Sequence, residues 1–430
     1  MKILVLSNAP WDNNNSFGNS FSNIFGGIPN IEIANIFCRY GYPNNGIVKR
    51  YFQITEKSLI KNLKNSSYPS GKEIESTRSE NLKIKEEMAV NYAKKKRWMI
   101  FFWLRDTKWK IGRWKSKEIR QFIDDFDPDL LFMPIYYSSY LNDIACYIKK
   151  YTCKPMLGYV SDDTYTLRQF NLSPLYWIDR LYKRKKVKKT IELCEILYVI
   201  SDIQKKEYEK CFDKECRILW KGAQFDGMPE NRTANRIIKL VFTGNIGGGR
   251  YKQLSRIGQA LSRINLNGKK AEIDIYTMTP MSTKMKKALN IPGAINFKGS
   301  IESEVVFKVQ NEADVLVHVE SFDLKNRLAV HQSFSTKIVD YLHQAKCILA
   351  VGPADVASMD YLIKNDAALT ATNEAEIEEV LRKVIDNKNL LTEYGKKAWE
   401  CGKRNHQIDK IQNMLYNDFE DLLNKDTEIK

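Results

Sequence analysis

The sequence predicts an α/β protein of two domains, each built on a mostly parallel sheet with helices on both faces. Three observations predict it. Apolar runs rich in β-branched residues recur along the chain, with helical segments between them. Those runs are nearly continuous in apolar character rather than alternating, as strands buried on both sides require. At 430 residues, 43% apolar and 28% charged, the chain is also longer than one ordinary core serves. The same composition excludes a disordered, collagenous or coiled-coil chain. No stretch approaches the roughly 20 apolar residues that span a bilayer.

In the first half, strands are expected at Ile3–Ser7, Ile31–Phe37, Leu130–Pro134, Met156–Val160 and Ile196–Ile200. The second half repeats this grammar at Ile238–Thr243, Glu272–Tyr276, Ile295–Phe297, Val315–Val319 and Cys347–Val351. The opening MKILVLSNAPW carries too short an apolar run for a signal peptide and has no small-residue cleavage site, so it reads as a buried strand. The polar stretch Lys221–Ile237, punctuated by Gly222, Gly227 and Pro229, is the expected linker, and a cleft between domains is a common ligand site. The expected units are therefore a first domain over 1–222, a second over 236–404, and a terminal segment over 405–430. Residues 59–126 interrupt the first domain and are expected to form a helical excursion. From Glu374 onward the chain reads as helices, with Ile377, Val380, Leu381 and Val384 spaced for one apolar face.

The eight cysteines form no CxxC and the four histidines no ligand spacing, so neither a metal nor a redox motif is expected. The net charge of +16 predicts an anionic partner: nucleic acid, an acidic membrane or a phosphorylated substrate.

Two motifs bear chemistry. In TGNIGGGRYKQLSRIGQAL (Thr243–Leu261) a strand runs into a glycine loop and then a helix. Glycines let backbone approach a ligand, and a helix N-terminus attracts phosphate. Arg250 and Lys252 add full charges. The loop is neither GxGxxG nor a P-loop, so a plain tight turn is the competing reading. In QSFSTKIVDYLHQAKCILAVGP (Gln332–Pro353), Ser335 is expected to cap a helix starting at Thr336, with Lys337 in its first turn. A cation there opposes the helix dipole and calls for a bound anion or a carboxylate. Asp340 follows three residues later on the same face. Lys337 near a pyrophosphate and Asp340 near a ribose diol fit this spacing, and so does a solvated Lys–Asp pair.

The run S-x-K-x-x-D-Y-L-x-x-x-K-x-I-L-A-x-G-P (Ser335–Pro353) resembles retaining glycosyltransferases of the GT-B fold, especially bacterial surface-polysaccharide enzymes of the family 4 type. HVESFD (His318–Asp323) upstream, SDDTYTL (Ser161–Leu167) and WKIGRWKSKEIRQFIDDFDPDLLF (Trp109–Phe132) carry the same resemblance, in order, over most of the chain. It implies two Rossmann-like domains facing across a cleft, with the terminal helix crossing back onto the first. It implies that the second domain binds a nucleoside-diphosphate sugar as substrate, without metal or other cofactor. Arg250 and Lys337 would neutralise the diphosphate, Asp340 would hold the ribose, and Lys298, Gly299, Ser300 and Ile301 would meet the base. Gly244, Asn245, Gly249, Ser335 and Thr336 would line the same pocket, with Glu320 near the donor sugar. The chain departs from the family at its paired glutamates: Asp340 stands for the second and Gln332 for the first, leaving Glu320 as a substitute.

Asp162 and Asp163 follow a strand end of the first domain, where a carboxylate could orient or deprotonate an acceptor hydroxyl, or simply cap local structure. Gly18, after the first strand, could let backbone reach the sugar. Two DxD triplets, at Asp125–Asp127 and Asp127–Asp129, precede a buried strand and fit a strand-entry turn around Pro128 better than a metal.

From Lys83 to Arg120 there are 13 Lys/Arg against 4 Asp/Glu, and Arg180–Lys189 holds seven further cations. Trp98, Trp103, Trp109 and Trp114, interleaved with Arg105, Lys110 and Arg113, suit a helix in the headgroup layer of an anionic membrane, where a lipid-linked acceptor would sit. Core tryptophans beneath a solvated basic face are the alternative. No nucleic-acid module accompanies the charge. The expectation is a sugar transferase at the cytoplasmic face of a membrane, acting on a lipid-linked or oligosaccharide acceptor. A sugar-nucleotide epimerase and a degenerate non-catalytic binding partner are the rivals.

Overall fold

Continuous apolar runs become central strands because both of their faces are covered. The computed structural model describes residues 1–75, 99–230 and 234–428. One sheet holds β1 (Lys2–Ser7), β2 (Glu32–Phe37), β3 (Val48–Ile54), β4 (Gly71–Ile74), β5 (Leu130–Pro134), β6 (Met156–Val160), β7 (Ile196–Val199) and β8 (Cys216–Ile218), in the order β4-β3-β2-β1-β5-β6-β7-β8. The other holds β9 (Ile238–Thr243), β10 (Ala271–Tyr276), β11 (Ile295–Gly299), β12 (Val315–Val319), β13 (Cys347–Val351) and β14 (Leu369–Ala371), ordered β11-β10-β9-β12-β13-β14.

Every neighbouring pair is parallel except β3 with β4. In each sheet the strand order reverses beside the first strand, where β1 lies between β2 and β5 and β9 between β10 and β12. Crossover helices diverge there, so a crevice opens beyond the strands' carboxyl ends. This is the two-Rossmann-domain architecture of the GT-B fold.

Four short or polar strands were not expected. β3 (VKRYFQI) carries Lys49 and Arg50, β4 (GKEI) is almost wholly polar, and β8 and β14 have three residues each. These lie at or near sheet edges, where burial and hence apolar patterning relax. β4 also corrects the reading of 59–126 as purely helical, because its antiparallel pairing with β3 brings that excursion back to the sheet.

The tryptophans are corrected as well. Trp109 on the helix Met99–Ile111 is fully buried, stacked on Tyr140 at 4.3 Å and 11°. Trp114 is buried edge-on against Tyr147. Both anchor the excursion to the domain and are not available to lipid. Trp103, Lys110 and Arg113 are exposed, and Arg105 is half-buried over the Tyr140 ring. Trp98 lies outside the described residues.

The helix Ile408–Glu428 returns to the first sheet's core. Ile411, Leu415, Phe419 and Leu422 bury one face, Phe419 stacking on Phe25 at 6.2 Å. Asp418, also buried, accepts from the Tyr198 hydroxyl and pairs with Arg217. No described helix is long and apolar enough to cross a membrane.

Candidate functional site

The carboxyl end of β9 turns sharply through Gly244–Gly249 into the helix Arg250–Ile264. Gly248 and Gly249 adopt φ of 60° and 82°, which glycine reaches without steric cost. A Cβ on Gly249 would lie 2.4 Å from Ser321 Oγ, so the turn packs directly on the loop after β12. At Gly244 a Cβ would lie 1.9 Å from Lys337 Nζ. The missing side chain is thus the space that the lysine ammonium enters from another helix. Asn245 shapes the turn, its Oδ1 accepting from Gly247 N and Thr279 Oγ1.

The amides at the helix start are less free than expected: those of Arg250, Tyr251 and Lys252 donate to Gly247, Ile246 and Gly249 carbonyls. Side-chain cations therefore carry most of the anion attraction. Arg250 makes a bidentate pair with Glu320, at 3.1 and 3.0 Å, from just past the end of β12. Lys252 is engaged by Asp323 at 2.7 and 2.8 Å, which holds that carboxyl below its usual range.

Arg250, Glu320, Lys337 and His318 form one electrostatic unit. Glu320 is 4% exposed, and burial pushes its carboxyl pKa up while Arg250 and Lys337 pull it back. Burial, then the Arg250 charge, lowers Lys337 to about 8. His318, buried with an Nε2 that makes no hydrogen bond and lies 3.8 Å from Glu320, is pushed down to about 3 by burial, Arg250 and Lys337, and is therefore neutral. Two cations against one carboxylate leave a net positive pocket, with Glu320 and His318 buried beneath a half-buried Arg250 and an exposed Lys337. A diphosphate would supply the missing negative charge.

The residues around Lys337 differ from expectation. The helix begins at Lys337 with Thr336 as its N-cap and no side-chain cap, while Ser335 donates its amide to Ser358 Oγ. Asp340 does not pair with Lys337; it accepts from Lys221 of the linker at 2.7 Å. A ribose would therefore compete with Lys221 for this carboxylate. Lys298, Gly299, Ser300 and Ile301 sit at the carboxyl end of β11, where the Gly299 carbonyl accepts from Thr277 N at 2.7 Å.

From the first domain, Asp162 and Asp163 take opposite roles. Asp163 turns inward to a buried pair with Arg180 at 3.1 Å and also accepts from the amides of Tyr165 and Thr166. It organises its own loop, which removes it as an acceptor-facing group. Asp162 is exposed and reaches the second domain, accepting from Ser333 Oγ at 2.9 Å. Gly18 is likewise structural. It is buried in the helix Ser16–Phe25, its amide capped by Asn15, and a Cβ would strike the Asp12 backbone at 2.1 Å. The close approach it permits is to the protein's own chain, not to a sugar.

Sequence reasoning missed the domain junction. Ser201 Oγ donates to the Gln332 carbonyl at 2.7 Å, and Glu207 accepts from Gln332 and lies 3.4 Å from His331. Gln332, at the family's first-glutamate position, is thus spent on joining domains. These partners lie more than 120 residues apart, and no local pattern marks them. Two of the three DxD aspartates are structural too: Asp127 is a left-handed C-cap and Asp129 accepts from Lys2 N at 2.7 Å.

No family model and no curated protein matches the chain. Solved structures match along nearly its whole length. A sucrose-phosphate synthase from Thermosynechococcus elongatus aligns with a TM-score of 0.64 at 10% identity over 99% of both chains. HepE of Anabaena, in complex with UDP, gives 0.63 at 8% identity over 98% of this chain and 100% of that one. WaaG, a glycosyltransferase involved in lipopolysaccharide biosynthesis, gives 0.55 at 11% identity over 96% and 98%. At such identities the likeness is one of fold, and it does not single out the family 4 enzymes. The chain has the fold of GT-B glycosyltransferases.

Proposed function

We propose that the protein transfers a sugar from a nucleoside-diphosphate donor to a saccharide acceptor on a carrier lipid, with retention and without metal, in building a surface polysaccharide. The observation that carries the donor half is the meeting of Arg250 and Lys337 over the glycine turn of β9, at the strand-order reversal. A leaving diphosphate gains charge as the glycosidic bond breaks, and two preplaced cations stabilise that charge more than the ground state. Glu320 holds the Arg250 guanidinium in position before the donor arrives. Asp162, from the facing domain, is the carboxylate placed to orient the acceptor hydroxyl. Likeness to solved proteins that include one in complex with UDP supports a uridine donor as the first to test. The lipid-linked acceptor and a place at the cytoplasmic face of a membrane rest on the basic charge of the first domain.

The test is a panel of nucleotide sugars screened for thermal stabilisation, followed by transfer assays with the stabilising donor. Lys337→Ala and Arg250→Ala should each lower turnover by roughly 10²–10³-fold, the loss seen on removing one group that stabilises a transition-state charge. Lys337→Ala should melt close to the parent, whereas Arg250→Ala strands the buried Glu320 carboxylate and should melt lower. Undiminished turnover in both variants would place the phosphate site elsewhere. Epimerised donor as the sole product, formed without acceptor, would favour the epimerase instead.

A further inference from the structure

The helix Pro174–Glu192 (PLYWIDRLYKRKKVKKTIE) is inside out over its first half. Its cations Arg180 and Lys183 are buried, paired with Asp163 and with Asp179 and Asp106, while Leu175, Ile178, Leu181 and Tyr182 face outward. Ile178 is 59% exposed, and Leu172 just before the helix 86%. One turn further along the same outer face come Lys185, Lys188 and Lys189, all exposed. The helix Met99–Ile111 lies alongside, joined by Trp103 Nε1 donating to Asp179 and by the Lys183–Asp106 pair. It adds exposed Leu104 and Ile111.

Beside these helices a groove of about 610 Å³ runs past Lys110, Arg113, Lys115, Lys150 and Lys189. Its two carboxylates are already engaged: Asp143 pairs with Lys186, and Asp106 with Lys183. Among the described residues, none of the five groove cations has a carboxylate partner. Exposed aliphatic side chains next to unneutralised cations match an interface that is apolar below and anionic above. A protein partner would meet the same apolar face, but the row of lysines beside it favours a polyanionic surface.

We propose that these two helices form an anionic-lipid docking surface: the groove takes phospholipid headgroups, and Leu104, Ile111, Leu175, Ile178 and Leu181 enter the acyl layer. This rests on the reading of a lipid-linked acceptor but replaces its buried tryptophans with a different set of side chains. The docked face would hold the first domain on the membrane.

The test is sedimentation of the full-length protein with vesicles of phosphatidylcholine alone or with about a third phosphatidylglycerol. Binding should require phosphatidylglycerol and weaken with salt. Lys110→Ala/Arg113→Ala should cost roughly 5-fold in affinity per cation removed. Ile178→Ser/Leu181→Ser should cost at least as much. Both pairs lie on the surface, so melting temperature and donor stabilisation without vesicles should match the parent. Donor stabilisation can therefore fail while lipid binding succeeds, or the reverse. Absence of wild-type sedimentation, or equal binding by both variants, would overturn the proposal. So would a dimer in light scattering that Ile178→Ser/Leu181→Ser dissolves, since a second copy would then cover the face.

Discussion

Lys337 is the residue whose environment most sharply conditions its chemistry. Exposed on one side but pressed over Gly244 and beside Arg250, it loses its proton near pH 8 rather than at the ordinary 10.5. An anionic ligand needs the charged form, and its own charge would raise the lysine's pKa in the complex. Below about pH 8 the site is already charged, and UDP affinity should change little on this account. Above it, each binding event must also take up a proton, so affinity should fall by up to about tenfold per pH unit. Calorimetric titration of UDP across this range checks the slope, and in buffers of different ionisation heat it also reads the proton directly. Lys337→Arg, which stays charged, should flatten the profile. A parent profile as flat as the variant's would refute a role for Lys337 in holding the anion.

At the scale of elements, the turn from β9 into the helix Arg250–Ile264 joins backbone strain to charge placement. Gly249 needs its left-handed φ of 82° and its open Cα side, because Ser321, Asn326 and Asp323 crowd that space. Gly249→Ala should therefore destabilise by about 1–3 kcal/mol, from the unfavourable backbone region plus displacement of the loop after β12. Urea unfolding checks this. Because that loop begins with Glu320, donor stabilisation should also weaken, whereas a purely conformational penalty would lower stability alone. The same logic explains why Gly244 is open: its missing side chain admits the Lys337 ammonium.

For the whole molecule, the connection that returns from the second domain to the first is as important as either sheet. The helix Ile408–Glu428 buries Phe419 completely against Phe25 in the first domain's core. Phe419→Ala should cost about 3–5 kcal/mol, the range for deleting a buried aromatic ring, and urea unfolding reads the loss. The Asp162–Ser333 and Ser201–Gln332 bonds also join the domains, and they hold the first domain to the loop that leads into Lys337.

The sequence by itself determined the central strands, both strand–helix alternations, and the two segments that deliver Arg250 and Lys337. Each is written locally: a buried strand needs a continuous apolar run, a left-handed turn needs glycine, and both appear within a few neighbouring residues. Edge strands such as β4 escaped because half-exposed backbone imposes no such run. Only the tertiary structure decided which charges meet. Arg250 and Glu320 are 70 residues apart, and Lys221 and Asp340 are 119. Asp162 and Asp163 are neighbours, yet one faces the other domain and one is buried with Arg180. Trp109 reads as a membrane anchor in a basic stretch but stacks on Tyr140. Such pairings depend on sheet order and domain docking, which bring distant segments together, and local periodicity carries no record of them.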